Sequence, residues 1–544
     1  MQDKILTCLL QTDSTTHSTC ENNMAQVILK LIEEQPYFAQ HKNQYGLYEI
    51  GGDVLKRSIP WAFYRAKNSS RQTVVLAGHM DTVSTDNYGT LKSCALMPTI
   101  LENALKDEAI PSKARADLES GEWIFGRGTA DMKGGLSVLM KELFQSCEAE
   151  SLNTNLLFIA VPDEETYSVG MRSATALLLG LKNQFDLEYQ CMVMSESHLR
   201  EDGQSLYFDG TIGKLQINIV VKGVPVHSRL YYTGMNPVQL AAQIACDLDG
   251  NAAFSEQVGE EKTPPPCIMY YRDTKKQYDV TLPESIDMAI SFLTYRRTGK
   301  QILDAIKEQM NHSIDAVMNR IHTQYQSWAS SLPAPAEQYQ HRPKVLFYEE
   351  LVTLAEQKGS TDFWSYYQAV QKRISEQLKC GSLNFNDATL DMVHELLDYV
   401  DSTEPVVILA ITPPLYPGFT NQDIAPEGSF VLELPGKLCQ FSQEEGQPAR
   451  FEHYFAGISD LSYAATTYKE AERHFINKNM PVWGDNYSID FDGIAKLQIP
   501  VFNVGPWGKS IHTKFERVNR YSLLHECPTL IHWMLLQLDQ HNHK

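Results

Sequence analysis

At 544 residues the chain is too long for one ordinary hydrophobic core, and two or more domains are expected. Its 43% apolar and 21% charged residues are those of a globular protein in water, and a formal charge of −20 argues against a general binder of nucleic acid or anionic membrane. Ten cysteines scattered without a CxxC pair read as reduced thiols. The first ten residues lack a signal-peptide pattern and no run of eighteen apolar residues occurs, so the expected location is cytoplasmic, with neither membrane nor nucleic acid as partner. Asn68-Ser69-Ser70 matches a glycosylation sequon, read here as a chance match.

In chain order, the first two hundred residues alternate helical patterns with short apolar strands, the signature of a mostly parallel sheet flanked by helices. Strands are expected at 73–78, 155–160 and 189–194. Leu136, Leu139, Met140 and Leu143 recur at helical spacing, which puts Asp131 immediately before a helix. The character changes near residue 210. Residues 214–222 alternate as Leu215, Ile217, Ile219 and Val221, a half-buried strand. A helix from about residue 237, strands at 267–271 and 288–295, and a long helix over 301–321 follow, the order of a small inserted α+β domain. Residues 324–343, with Ser330-Ser331-Leu332-Pro333-Ala334-Pro335, read as a linker. Helical patterns return at 348–357, 363–378 and 388–400, then strands at 405–411 and 499–504 and a last helix near 523–538. The fold class is α/β, and the domains read as 1–212 (catalytic, first part), 213–345 (inserted lid or dimerisation domain) and 346–544 (catalytic, second part, with an extra helical segment).

Metal-type ligands follow these strands. The first runs into His79-Met80-Asp81, the second into Asp163-Glu164-Glu165, the third into Ser195-Glu196, and the strand at 499–504 leads to His512. In open α/β sheets functional groups gather beyond the carboxyl ends of parallel strands, so these residues are expected to share one crevice. An imidazole at His79 offers a ligand nitrogen, with Asp81 on the same side of the extended chain to orient it. Asp131, with two free oxygens, can bridge two cations, or it can simply cap a helix. Adjacent Glu164 and Glu165 repel each other, which suits one as ligand and the other as general base. Together His79, Asp131, Glu165, Glu196 and His512 are the ligand types of a two-metal site. Competing motifs fail. Asp131 stands where a dinucleotide fingerprint needs its third glycine, Asn503 stands where a P-loop ending at Gly508-Lys509-Ser510 needs its first, and no GxSxG elbow occurs.

His79-Met80-Asp81-Thr82-Val83, Gly126-Arg127-Gly128-Thr129-Ala130-Asp131-Met132-Lys133-Gly134-Gly135 and Asp163-Glu164-Glu165 resemble the metal motifs of the aminoacylase/carboxypeptidase family, which contains acetylornithine deacetylase and succinyl-diaminopimelate desuccinylase. Phe292-Leu293-Thr294-Tyr295-Arg296-Arg297, Phe347-Tyr348-Glu349-Glu350-Leu351 and Gly457-Ile458-Ser459-Asp460-Leu461-Ser462-Tyr463 are similar to its arginine-utilisation (RocB-type) branch. The resemblance implies two divalent ions, Zn2+ first and Co2+ or Mn2+ as alternatives. His79, Asp131 and Glu196 would hold one; Asp131, Glu165 and His512 would hold the other. It implies Glu164 as catalytic base, Asp81 as the buttress of His79, and His227, in Gly223-Val224-Pro225-Val226-His227-Ser228, as a further active-site histidine. A homodimer is an expectation of the same kind. The lid strand at 291–297 lacks the Asp-x-Arg common in the family, leaving Arg296 and Arg297 open as carboxylate binders, and residues 324–450 exceed the family's usual length. The activity implied is hydrolysis of an amide bond in a small peptide or N-acyl amino acid. An aminopeptidase or dipeptidase, or a non-catalytic metal-binding scaffold, are the alternatives.

Overall fold

The computed structural model describes residues 1–68, 70–359, 362–455 and 457–542, and Ser69 of the sequon lies outside them. The chain forms two compact units. The larger comprises residues 1–212, 417–467 and 490–544; the smaller comprises 213–416 and 468–489. No described helix is long and apolar enough to cross a membrane.

The larger unit is built on a nine-stranded mixed sheet. Its centre is four parallel strands in the order Asn155–Val161, Gln72–His79, Glu188–Met194, Val501–Asn503. The first two are almost wholly buried, which is why they read as continuous apolar runs rather than alternating ones. Antiparallel strands Ser58–Tyr64 and Tyr45–Glu49 extend one side. The core on one face is formed by helices Gln2–Gln11, Lys133–Ala149 and Cys527–Asn542, whose Leu6, Leu139, Leu143, Leu530 and Met534 cluster with Val74, Leu76, Leu156 and Phe158 of the sheet. The four parallel strands all end at the same edge, as the connection rules for parallel strands require.

The smaller unit has a five-stranded sheet in the order Cys267–Asp273, Ser285–Thr294, Gly213–Lys222, Val406–Tyr416, Lys344–Phe347. The central strand Gly213–Lys222 pairs antiparallel with both neighbours, Ile219 lying opposite Met288 on one side and Leu409 on the other. Helices Pro237–Leu248 and Gly299–Ala329 belong to this unit, the second opened by a reciprocal bond pair between Thr298 and Gln301.

Three expectations are corrected here. The chain does not return to the larger unit near residue 346 but at Pro417, because the wholly buried strand Val406–Tyr416 pairs along Gly213–Lys222 and carries helices Tyr348–Lys358, Phe363–Lys379 and Phe385–Val400 with it. The strand read as half-buried is covered on both faces. Leu215, Ile217, Ile219 and Val221 are buried on one, while on the other the Asn218 amide donates to Asn386 O (3.0 Å) and the Thr412 and Thr389 hydroxyls pair at 3.0 Å. Helix Phe385–Val400, capped by the Asn384 side chain on Asp387 N, thus gives the Asn218 amide N–H a partner where alternation alone assigned it to water. The expected linker is also shorter at its start, since the long helix continues to Ala329.

If the insert is integral to this unit, Leu396→Ala, which truncates a buried side chain of Phe385–Val400, lowers stability by about 2–4 kcal/mol in urea denaturation. An unchanged midpoint would mean that the helix is a pendant appendage.

Candidate metal centre

The carboxyl edge of the parallel strands gathers the predicted ligands of the larger unit. His79 is the last residue of Gln72–His79 and is fully buried. Its Nδ1 faces the Asp81 carbonyl oxygen at 3.1 Å, which leaves Nε2 pointing at Asp131 Oδ1, 2.9 Å away. The other oxygen of Asp131, Oδ2, lies 3.1 Å from His512 Nε2, and that nitrogen is also 2.9 Å from Glu165 Oε2. One carboxylate therefore stands between two imidazoles, one oxygen to each. Ligand atoms of His79, Asp131 and Glu165 all lie within 4.8 Å of one another. Glu196, two residues beyond Glu188–Met194, is buried beside them, its backbone N–H donating to Asn503 Oδ1 at 2.9 Å and its Oε1 accepting from the Ser459 hydroxyl at 3.4 Å.

Close approach of backbones makes this edge compact. A Cβ on Gly135, at the start of helix Lys133–Ala149, would fall 1.7 Å from the Ser195 carbonyl oxygen, and one on Gly505 would fall 1.8 Å from that of Glu196. Only glycine fits at either place.

The Asp81 carboxylate, expected to orient His79, lies beyond hydrogen-bond distance of it and acts on the next turn. Its Oδ1 is 3.6 Å from His79 Nδ1, while Oδ1 and Oδ2 accept the backbone N–H groups of Glu164 and Glu165, each at 3.2 Å. The carboxylate thus holds the turn that carries both glutamates. Behind that turn lies a network that sequence reasoning missed. Asp163 accepts from Arg57 Nη1 (2.6 Å) and Thr166 Oγ1 (2.7 Å), its N–H donates to Glu21 Oε1 (2.8 Å), and Arg57 also binds Glu21 and Asp53. The one local signal was Ser18-Thr19-Cys20-Glu21, which reads as a helix capping box, and Ser18 N does donate to Glu21 Oε2 at 3.2 Å. A second missed support is Glu516. Its Oε1 accepts from Ala130 N (3.2 Å) and Asp131 N (3.3 Å), its Oε2 binds Arg127, and Arg127 reaches Asn87, whose amide donates to the His512 carbonyl at 2.8 Å. Arg127 sat in the glycine-rich motif in plain view; Glu516 had no local pattern to mark it.

His227 lies on the smaller unit. It is exposed, and its Nδ1 accepts the Arg229 N–H at 3.1 Å, capping the short turn Ser228–Thr233. Arg297 Nη1 donates to the Phe254 carbonyl at 3.1 Å, and the backbone N–H groups of Arg296 and Arg297 donate to Glu256.

Electrostatics explain what such a cluster needs. Burial pushes the Asp131 carboxyl up, but its bonds to His512 and His79 outweigh this and hold it well below the usual carboxylate range. His512 is pushed up to about 10 by Asp131 and Glu165. Burial raises Glu164 and Glu196 well above the carboxylate range, His79 opposing and neighbouring carboxylates adding to the rise. Without a cation, protons on the histidines hold the acids together. The buried Glu165 Oε1 has no hydrogen-bond partner, as an atom reserved for a ligand would not. Two imidazoles, a shared carboxylate and further acids at a buried edge are a donor set that fits divalent metal ions.

Fold and site together define a metal-hydrolase type of α/β protein. Residues 75–534 match the model of peptidase family M20/M25/M40, and the chain belongs to that family, which places it among the hydrolases. It is similar to YqjN of Bacillus subtilis (strain 168), 29% identical over 94% of this chain and 92% of that one. It is also similar to protein RocB of the same organism, 26% identical over 98% and 94%. A tripeptidase structure from Staphylococcus aureus subsp. aureus Mu50 shares the fold, with a TM-score of 0.52, 13% identity and 99% and 98% of the two chains covered.

Two outcomes are expected. Arg57→Ala leaves three buried carboxylates without their cation and lowers stability by about 3–5 kcal/mol in denaturant titration. Asp131 and Glu165 push His512 up to about 10, so if His512 is a ligand, metal loading displaces its proton. Apparent metal affinity therefore rises with pH across neutrality, and calorimetry in buffers of different ionisation enthalpy detects the released protons; pH-independent binding would contradict this.

Proposed function

We propose that the chain is a metal-dependent amidohydrolase that cleaves an amide bond of a small peptide or N-acyl amino acid, using two divalent cations, zinc first among them. The ions would be held by His79, Asp131 and Glu196 on one side and by Asp131, Glu165 and His512 on the other. The observation that carries this reading is the placement of Asp131, one oxygen toward His79 and the other toward His512. When bound, such a pair of ions supplies Lewis acidity and a water acidified toward neutral pH.

The chain's own residues do the rest. Glu164, next to the ligand Glu165 and fixed through its backbone by Asp81, is the general base. A carboxylate whose proton affinity is raised by burial and by Glu196, Asp460 and Glu165 is suited to taking a proton from the attacking water and passing it to the leaving amine. The water oxygen forms the new bond to carbonyl carbon, the C–N bond breaks, and the products are a carboxylate and an amine. The role the resemblance implies for His227, an imidazole donor to the carbonyl oxygen, rests on the sequence alone. So does a place in arginine utilisation.

Glu164→Gln is expected to lower turnover by about 10²–10⁴-fold or more while the protein still binds both metals. Elemental analysis and hydrolysis of N-acyl amino acids and dipeptides, with and without chelator, check this directly. Turnover retained by the variant overturns the role of Glu164, and a strict need for a free amine in the substrate makes the enzyme an aminopeptidase or dipeptidase rather than a deacylase. No metal uptake and no cleavage would leave a scaffold.

A further inference from the structure

Among the described residues, buried carboxylate oxygens without a hydrogen-bond partner occur at two places, Glu165 and Asp460. For Glu165 one oxygen is orphaned; for Asp460 both are, although its side chain is fully buried. Among side-chain hydroxyls, that of Ser168 acts on this carboxylate. Burying a carboxylate without partners is among the costliest arrangements in a folded chain, so such a group points to a missing counterpart.

The local structure holds Asp460 in place. It opens the short turn Asp460–Tyr463, and the preceding Ser459 caps that turn by accepting Leu461 N–H at 3.3 Å. The Ser459 hydroxyl also lies 3.4 Å from Glu196 Oε1 and 3.4 Å from Met194 Sδ. One dipeptide therefore restrains the Glu196 carboxylate with its first side chain and sets a second carboxylate beside it with the next. The charged groups that act on Asp460 are His79, Asp81 and Asp163, and it acts in turn on Glu164 and Glu196. Nearly all of these are acids, so the counterpart it lacks is a cation.

We propose that the Asp460 carboxylate is part of the divalent-cation site, on the Glu196 side, with Ser459 as the positioning residue that orients Glu196 toward the same ion. This rests on the two-metal reading and adds to its five ligands an acid from a different loop.

The test uses the full chain, stripped by chelator and titrated with Zn2+ by calorimetry and elemental analysis, alongside melting of the metal-free and loaded forms. Wild type is expected to take two ions. Asp460→Asn should weaken one of them by about 10–100-fold, while the metal-free variant, relieved of an orphaned charge, melts no lower than metal-free wild type. Two ions bound by Asp460→Asn with wild-type affinity overturn the inference. So does a lower metal-free melting point with undiminished stabilisation by Zn2+, which would make Asp460 a packing residue. Wild type that takes no metal overturns instead the two-metal reading beneath it. Should the variant not fold, a Zn2+-loaded wild-type structure decides. An Asp460 oxygen about 2.0–2.2 Å from the ion, or hydrogen-bonded to water the ion carries, supports the proposal, and neither contact overturns it.

Discussion

Repulsion among buried acids is the constraint on which the larger unit depends. Asp81, Asp131, Glu164, Glu165, Glu196 and Asp460 converge at one edge of a sheet, with His79 and His512 as the imidazoles set among them. Two unit charges about 4 Å apart interact by roughly 4 kcal/mol at an effective dielectric of about 20, so this number of carboxylates cannot all be ionised without positive charge between them. Protons supply that charge in the metal-free chain, as the raised pKa directions of Glu164, Glu196 and His79 record. The arrangement is poised for a cation rather than at rest without one.

Holding mutually repelling groups in place falls to residues around and behind them. Asp81 grips the Glu164–Glu165 turn by its backbone, Glu516 grips Ala130 and Asp131 in the same way, and the Arg57–Glu21–Asp163 cluster anchors the turn from behind. In each case a carboxylate accepts backbone N–H groups, which fixes the path of a loop without occupying its functional side chains. Glycines at 135 and 505 let the helix start and the loop before His512 come within contact of the strand end that bears Glu196. Rigidity at this edge follows from hydrogen-bonded main chain rather than from the ligands themselves.

The smaller unit answers a different physical demand. A sheet strand with apolar side chains on one face and Gln216, Asn218 and Val220 on the other is solved in two ways, by water or by a second layer. Here helix Phe385–Val400 supplies the layer and bonds the amide of Asn218, while Gln216 reaches Asn386 Oδ1 at 3.4 Å.

Several features were legible from residues alone. Buried parallel strands announce themselves as apolar runs, and His79, Asp131, Glu164, Glu165 and Glu196 stand at strand or helix ends where a short local window reveals them. His512 was marked by the apolar strand at 499–504 that leads to it, whereas the Gly457–Tyr463 motif drew notice through resemblance. What tertiary structure decided was how these pieces are held and paired. Glu516 meets Ala130 across 386 residues of sequence, and Arg57 meets Asp163 across 106, separations no periodicity spans. The return of the chain at Pro417 instead of near 346 was hidden for the same reason, since a Pro-rich loop is a local signal whereas strand pairing is not. Sequence determined which chemistry the strand ends carry, because side-chain type and local periodicity are properties of neighbours along the chain. Only the fold decided which acids would be left facing one another unpaired, because burial and desolvation arise from contacts between segments distant in the sequence.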